Sequence, residues 1–385
     1  MKKLALSAAL LAGVSAAMAQ DPIFRQVANI TLSSFFITHS DVTNIGAHGT
    51  YIGGIASDGT NIFVSGWMPG TGAVPSGIVR ISNPLGVSPV VTSYIREANH
   101  PRDARISKLI YSNGALLWNI GGGASAGTTI FGVRRIVDVG GVGQIDTAFA
   151  GDGLLTPADM TAAIGGGGTR RMDDIAIDPS GRLASVGFFN YGSPAASHVT
   201  SVDPVTGLSP SSTTITTNPG SFRGFDFDAA GNLYARRSST AGVQRSAAGI
   251  PFGAPTTLYA GTTGANSWHR MQAFRAGAIG YAPFLAFTGE TGIAGDGMRI
   301  VITRLDGSVV TRLTGSEDGF PAFADHFLST GFMQMGGRDY LLVGHSTGAG
   351  VDQLRIYEVV PEPGTMIALG AGLAALLARR RRRKS

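Results

Sequence analysis

Two strings of the form Gly-x-Ser-x-Gly stand out in this chain, Gly344-His345-Ser346-Thr347-Gly348 and Gly123-Ala124-Ser125-Ala126-Gly127. That spacing holds a nucleophilic serine on a sharp strand-to-helix turn in hydrolases. The first string follows the apolar run "DYLLV", as such an elbow should. What comes next does not fit, because "AGVDQLRIYEVV" alternates with the period of a strand where a helix is required. No histidine lies beyond Ser346 to serve as the base in the usual chain order. The second string sits in a glycine-rich stretch that also leads into a strand. Both are read as hairpin loops, and no catalytic residue is assigned.

The seven histidines, at positions 39, 48, 100, 198, 269, 326 and 345, contain no His-Glu-x-x-His and no helical pair. His48, His100, His269, Asp325 and His326 fall near turns or strand ends, where a site gathered from several segments would draw its ligands; each is first of all an ordinary loop or rim residue. Asp152, Asp296 and Asp318 precede glycines and offer oxygens to a calcium ion. None has the EF-hand spacing, and Asp-Gly is first of all a turn pair. The glycine run Gly165 to Gly168 lacks the Lys-Ser/Thr and the helix of a phosphate-binding loop. No metal ion and no cofactor is assigned.

The elements that would position such groups are strands. Fifty-six glycines in 385 residues, 14% charged residues and 43% apolar residues in short bursts suit an all-β chain with many tight turns. One pattern returns six times: "IGGIASDGTNIFVSGW" from Ile52, "ISKLIYSNGALLWNIG" from Ile106, "MDDIAIDPSGRLASVG" from Met172, "FRGFDFDAAGNLYARR" from Phe222, "HRMQAFRAGAIGYAPF" from His269 and "FLSTGFMQMGGRDYLLVG" from Phe327. Each is a β-hairpin, turning at Gly59, Gly114, Gly181, Gly231, Gly277 and Gly337. Further alternating segments follow most of them, among them "SGIVRISNPLG" and "MRIVITRLDGS". Four strands per unit of about 50 residues, repeated radially, make a β-propeller. Six blades are favoured and seven are admitted.

The two ends differ from the body. Lys2 and Lys3, the apolar stretch Leu4 to Ala17 and the small-x-small triplet Ala17-Met18-Ala19 form a secretory signal, with cleavage expected between Ala19 and Gln20. Absence of cysteine means that an oxidising compartment is neither used nor needed. At the other end Pro361-Glu362-Pro363-Gly364 leads into an apolar run, Met366 to Ala378, and then into Arg379, Arg380, Arg381, Arg382, Arg383 and Lys384. The run is short for a bilayer, but the basic cluster can snorkel and hold its end on the cytoplasmic side. The formal charge of +5 belongs to these ends: without the eight terminal basic residues and Glu362, the body holds 22 basic and 24 acidic residues. Nothing in it attracts nucleic acid.

Pro-Glu-Pro, an apolar helix and an arginine cluster in that order resemble the PEP-CTERM sorting signal of Gram-negative bacteria, also labelled an ice-binding protein C-terminal domain. The resemblance implies recognition by a membrane-embedded exosortase, transient anchoring in the inner membrane, and removal or exchange of the tail near Pro361 to Gly364. It also implies the secretion machinery as a partner, and association with exopolysaccharide, biofilm matrix or other envelope proteins at the surface. Asp178-Pro-Ser-Gly181-Arg-Leu183 and Asp228-Ala-Ala-Gly231-Asn-Leu233 resemble the D-x-x-G-x-L hairpin of NHL-like propellers, and "QIDTAFAGDGLLTPADM" from Gln144 is similar to a bacterial delta-60 repeat. These imply a fold and no activity. The aspartates are read as Asx turns rather than metal ligands.

The expected organisation is a signal peptide over 1–19, a propeller over 20–358 and a sorting segment over 359–385. Two functions compete. One is a non-catalytic matrix or surface protein, with Trp67, Trp118 and Trp268 as candidates for stacking on sugars or, especially Trp118, for filling blade interfaces. The alternative is a secreted hydrolase, lactonase or lyase with an axial site. Ice binding would want a regular threonine array, and "SSTTITTNPG" from Ser211 is a single burst.

Overall fold

A computed structural model of the chain describes residues 21–32, 51–67, 74–100, 106–121, 132–156, 159, 172–187, 198–214, 222–237, 242–260, 271–273, 283–288, 299–317, 327–346 and 352–361. The expected signal segment, the apolar run before the arginine cluster and that cluster lie outside the described residues.

The chain opens with β1 (Pro22–Thr31). Blade one follows as β2 (Tyr51–Ser57), β3 (Ile62–Trp67), β4 (Val74–Ser82) and β5 (Val90–His100). Blade two is β6 (Ile106–Ser112), β7 (Ala115–Gly121), β8 (Gly132–Val139) and β9 (Val142–Ile145), and blade three is β10 (Met172–Ile177), β11 (Leu183–Gly187), β12 (His198–Val202) and β13 (Ser211–Thr214). Blade four is β14 (Phe222–Phe227), β15 (Leu233–Arg237), β16 (Val243–Ser246) and β17 (Thr256–Tyr259). Blade five is β18 (Met271–Ala273), β19 (Phe284–Thr288), β20 (Ile300–Arg304) and β21 (Val309–Leu313). The last blade holds β22 (Phe327–Met335), β23 (Arg338–Ser346) and β24 (Asp352–Pro361), and its fourth, outermost strand is β1. The architecture is a six-bladed β-propeller.

The hairpins form for local reasons. Between Ser112 and Ala115 the two-residue turn Asn113-Gly114 has both φ angles positive, 49° and 74°. A primed turn needs that geometry, and Asn-Gly supplies it with the least strain. Elsewhere an aspartate makes the turn: the Oδ1 of Asp178 accepts the backbone N–H groups of Ser180 and Arg182, and that of Asp228 accepts those of Ala230 and Asn232, all at 2.9–3.0 Å. Asp228 Oδ2 also takes the Asn232 amide at 2.7 Å and the Tyr234 hydroxyl at 2.9 Å. These aspartates are Asx turns, as expected. Of the six turn glycines, Gly277 lies outside the described residues and the other five turn hairpins.

One blade cannot cover both faces of its own sheet, so the core lies in the seams. Ile30, Ile55, Val64, Leu342 and Ile356 fill the seam of blades six and one, and Phe63, Tyr94, Leu109 and Trp118 that of one and two. Leu117, Phe149, Ile175 and Leu183 join two and three; Phe225, Phe227, Leu285 and Phe287 lie in the cluster running from three through four to five. Phe24, Phe284, Ile302 and Leu341 close five against six. Six seams returning to their start make a ring. Sandwiched strands lose alternation: β20 is buried at Ile300, Val301, Ile302 and Thr303 in succession. At the hub the inner strands of blades one and two approach so closely that a Cβ on Gly54 would sit 2.3 Å from the backbone nitrogen of Leu109. The delta-60-like stretch links blades two and three, with Phe149 fully buried and Leu155 bridged to Val133.

Candidate functional site

Around the axis, the inner strands of blades two, three and four bring together one buried cation and its partners. Lys108 on β6 donates from Nζ to Asp174 Oδ2 on β10 at 3.2 Å and to the Phe225 carbonyl on β14 at 3.1 Å. The same carboxylate accepts the backbone N–H groups of Phe225 and Ile175, each at 2.9 Å. The ammonium also lies 5.7 Å from the Phe225 ring centroid. Asp226, buried next in the strand, receives the backbone N–H of Phe227 at 2.9 Å. Charges this deep are retained only when paired and hydrogen-bonded. The Lys108–Asp174 pair therefore reads as a neutral staple across three blades.

Further out, Arg236 on β15 is fully buried, with its guanidinium 5.4 Å from the Phe287 ring centroid on blade five; burial pushes its pKa down to about 9. Burial also raises the phenols of Tyr94, Tyr234 and Tyr357 well above their ordinary value, with Asp138, Asp228 and Glu317 respectively adding to the effect.

A second constellation sits where the first and last described strands meet. β1 and β24 pair antiparallel from Pro22 opposite Pro361 to Thr31 opposite Gln353. Glu358, 4% exposed, is held by Arg338 of β23 at 2.6 Å and by Arg25 of β1, so one carboxylate ties the three strands. Asp21 is bonded to Arg304 of blade five at 2.8 Å. Pro361, the last residue of β24, is also the first residue of the Pro-Glu-Pro sequence. The propeller's closing sheet runs straight into the sorting sequence.

The serine string at Gly344 gives no strand-to-helix elbow, since the strand β24 follows it. Gly344, His345 and Ser346 are the last residues of β23, and Ser346 pairs with Asp352 of the antiparallel β24. His345 is 2% exposed, inside the sheet. Residues 123–127, His48, His269, Asp325, His326, Asp296, Asp318 and the run 165–168 lie outside the described residues, as do the side chain of His100 and residues 362–385. Asp152 closes a small turn by accepting the Leu154 N–H at 3.0 Å. His198 on β12 approaches Ser212 Oγ on β13 at 3.5 Å, on the third and fourth strands of blade three. Among the described residues no three candidate ligands gather for a metal ion. Trp118 is 1% exposed and fills the seam of blades one and two, so it is not a sugar platform. Trp268 and the Trp67 side chain lie outside the described residues. Sequence reasoning missed Lys108, although one signal was present: it is the single lysine between residues 20 and 358, on an inner strand.

The PEP-CTERM protein-sorting motif matches residues 359–383. The chain therefore carries the signal of an exported, cell-surface-associated protein that an exosortase processes. No curated protein matches the chain by sequence. Among solved structures, the fold is similar to Trypanosoma rangeli sialidase in complex with the inhibitor DANA, with a TM-score of 0.51 and 10% identity over 89% of this chain. The match spans 61% of the sialidase's length. Regucalcin from Agrobacterium tumefaciens, described as a calcium-binding protein, gives a TM-score of 0.47 and 12% identity over 83% of this chain and 94% of its own. Virginiamycin B lyase from Staphylococcus aureus gives 0.46 and 12% over 88% and 100%. At these identities the likeness is one of fold.

Proposed function

We propose that the propeller is the cargo of a transient C-terminal anchor and acts at the cell surface or in the extracellular matrix as a non-catalytic binding or structural module. In this reading residues 1–19 are removed after Ala19, leaving Gln20 at the new end. Pro361, Glu362, Pro363 and Gly364 are the exosortase's recognition sequence. Met366 to Ala378 enters the inner membrane, with Arg379 to Lys384 on the cytoplasmic side. Exopolysaccharide and other envelope proteins are the partners it would meet after release.

The observation that carries the reading is the continuity of β24 with the matched motif at Pro361, which makes the tail an extension of the folded body. The axial cluster supports a non-catalytic role. Its lysine is bonded to an aspartate and a backbone carbonyl and lies against a ring, so its charge is spent on holding blades together. A secreted hydrolase, lactonase or lyase would need an axial acid, base or metal aimed at a substrate. Among the described residues Asp174 is engaged by two backbone N–H groups and Lys108, and its neighbour in the cluster, Asp226, accepts the Phe227 N–H.

The test is mass spectrometry of both termini of the protein recovered from the surface of an exosortase-bearing host, with Glu362→Ala and a variant carrying alanine at 379–384 as comparisons. Processed protein should begin at Gln20 and lack the apolar run, and both variants should accumulate uncut at the inner membrane. Uncut wild-type chain in the cytoplasm overturns the reading.

A further inference from the structure

The strand directions fix which end of the propeller the anchor leaves from. In every blade the third strand ends beside the turn joining the first two: Ser82 lies by the turn after Ser57, Val137 opposite Ala115, Val202 opposite Leu183, Ser246 opposite Leu233 and Arg304 opposite Phe284. In blade six the third strand is β24, and Val359 lies opposite Asp339 beside the turn at residues 336–337. Pro361, and Pro22 paired with it, therefore emerge on the face that carries the turns between third and fourth strands of the other five blades.

Those turns present aliphatic side chains to solvent in all five blades. Val87 in blade one and Ile250 in blade four are 105% and 93% exposed. Val139 and Val142 flank the blade-two turn, Leu208 lies in that of blade three, and Val309 follows that of blade five, each between 37% and 54% exposed. Single exposed aliphatics are ordinary on a soluble surface, but one repeated at the same turn around a ring is an apolar rim. The acidic groups among them stay at the surface, each tied to a backbone N–H of its own turn. Asp138 accepts the Gly141 N–H at 2.8 Å, Asp203 that of Val205 at 2.8 Å, and Asp306 that of Ser308 at 2.9 Å. Arg182 and Arg338 lie at the same end of their sheets, so the face has no single-sign field.

Only five residue steps separate Pro361 from Met366, the first residue of the apolar run. Even fully extended they reach about 17 Å. We propose that this turn-bearing face is a lipid-docking surface, lying on the zwitterionic interface of the bilayer for as long as the tail is attached. The inference rests on the anchoring reading above. It gives the aliphatic rim an occupant by proximity: a body held within one short tether of a membrane, at the end that carries its exposed aliphatics, rests them among the headgroups and upper acyl chains. Removal of the tail then releases the face as well as the tether.

The absence of cysteine makes the test direct. Val87→Cys, Ile250→Cys and, as control, Thr31→Cys in the full chain would each carry a polarity-sensitive fluorophore. Thr31 is exposed at the opposite end of β1, nine residues from Pro22 and about 30 Å along the strand. The chain is reconstituted into phosphatidylcholine vesicles with and without brominated acyl chains. Labels at 87 and 250 should shift to the blue and lose emission to bromine, and the label at 31 should do neither. If the chain floats with the vesicles and all three labels stay unquenched, lipid docking is overturned while anchoring stands. Failure to float overturns both. Shielding of 87 and 250 that follows protein concentration and ignores bromine assigns the face to a second copy and also overturns the lipid reading.

Discussion

Ring closure by β1 makes a quantitative demand on two residues of that strand. Phe24 is 8% exposed and packs edge-on against Phe284 of blade five, with centroids 5.3 Å apart. Ile30 is 6% exposed and belongs to the separate cluster between blades six and one. Phe→Ala in such a place costs about 3–5 kcal/mol and Ile→Ala about 2–5 kcal/mol. The two sites are six residues apart on one strand, about 20 Å, and share no cluster, so their effects should add. Phe24→Ala with Ile30→Ala should therefore remove about 5–10 kcal/mol, most of the roughly 5–15 kcal/mol that holds a typical domain. Ile23 and Val27 alternate with Phe24 on the same strand but are 42% and 40% exposed. Their alanine variants should stay within about 0.5 kcal/mol of the parent. The assay is thermal and urea unfolding followed by far-ultraviolet circular dichroism and tryptophan emission. If the double variant is no weaker than Ile23→Ala, β1 does not close the ring and its place as the fourth strand of blade six is wrong.

Three further outcomes follow from the same geometry. Asp174→Leu leaves the Lys108 ammonium buried without its carboxylate and should cost about 3–5 kcal/mol, whereas adding Lys108→Met should restore much of that; equal unfolding midpoints for the single and the double variant would contradict the staple. The phenols of Tyr94, Tyr234 and Tyr357 are raised chiefly by burial, so the unfolded chain releases protons near pH 10 that the folded chain keeps. Their contribution to stability is whole below about pH 10 and is lost as pH rises beyond it; absorbance at 295 nm should show part of the tyrosine ionisation arriving only with unfolding, and complete ionisation of all nine tyrosines in a chain with native dichroism would refute it. Gly114→Ala meets nothing within 4 Å and should cost about 1–2 kcal/mol for its positive φ alone, while Gly54→Ala drives a methyl into the backbone of Leu109 and should prevent a soluble folded product; similar yields and melting points for the two would show that the hub is looser than described.

Much of this fold was legible because its signals are short-range. Asn113-Gly114 turns a hairpin wherever it is placed between alternating segments, and Asp178 and Asp228 bond to N–H groups two and four residues on. Six such units favour six blades without excluding a seventh, which the six sheets then settle, and the tail's proline, apolar and arginine blocks are contiguous. The elbow string at Gly344 misleads for the complementary reason: its meaning depends on the element after it, and β24 is a strand. Trp118 was ambiguous because exposure is a property of the seam, not of the residue.

What the sequence determined by itself is the repeating hairpin and the chemistry of the two ends, since each is written within about twenty neighbouring residues. The tertiary structure alone decided that β1 crosses to the last blade, placing Pro22 beside Pro361, and that Lys108 reaches Asp174 and Phe225 across two seams. It also gathered the aliphatic turns onto the face from which the sorting sequence leaves. Those contacts join segments up to 339 positions apart, and only closure of the ring, driven by burial of blade faces that no single blade can cover, brings them together.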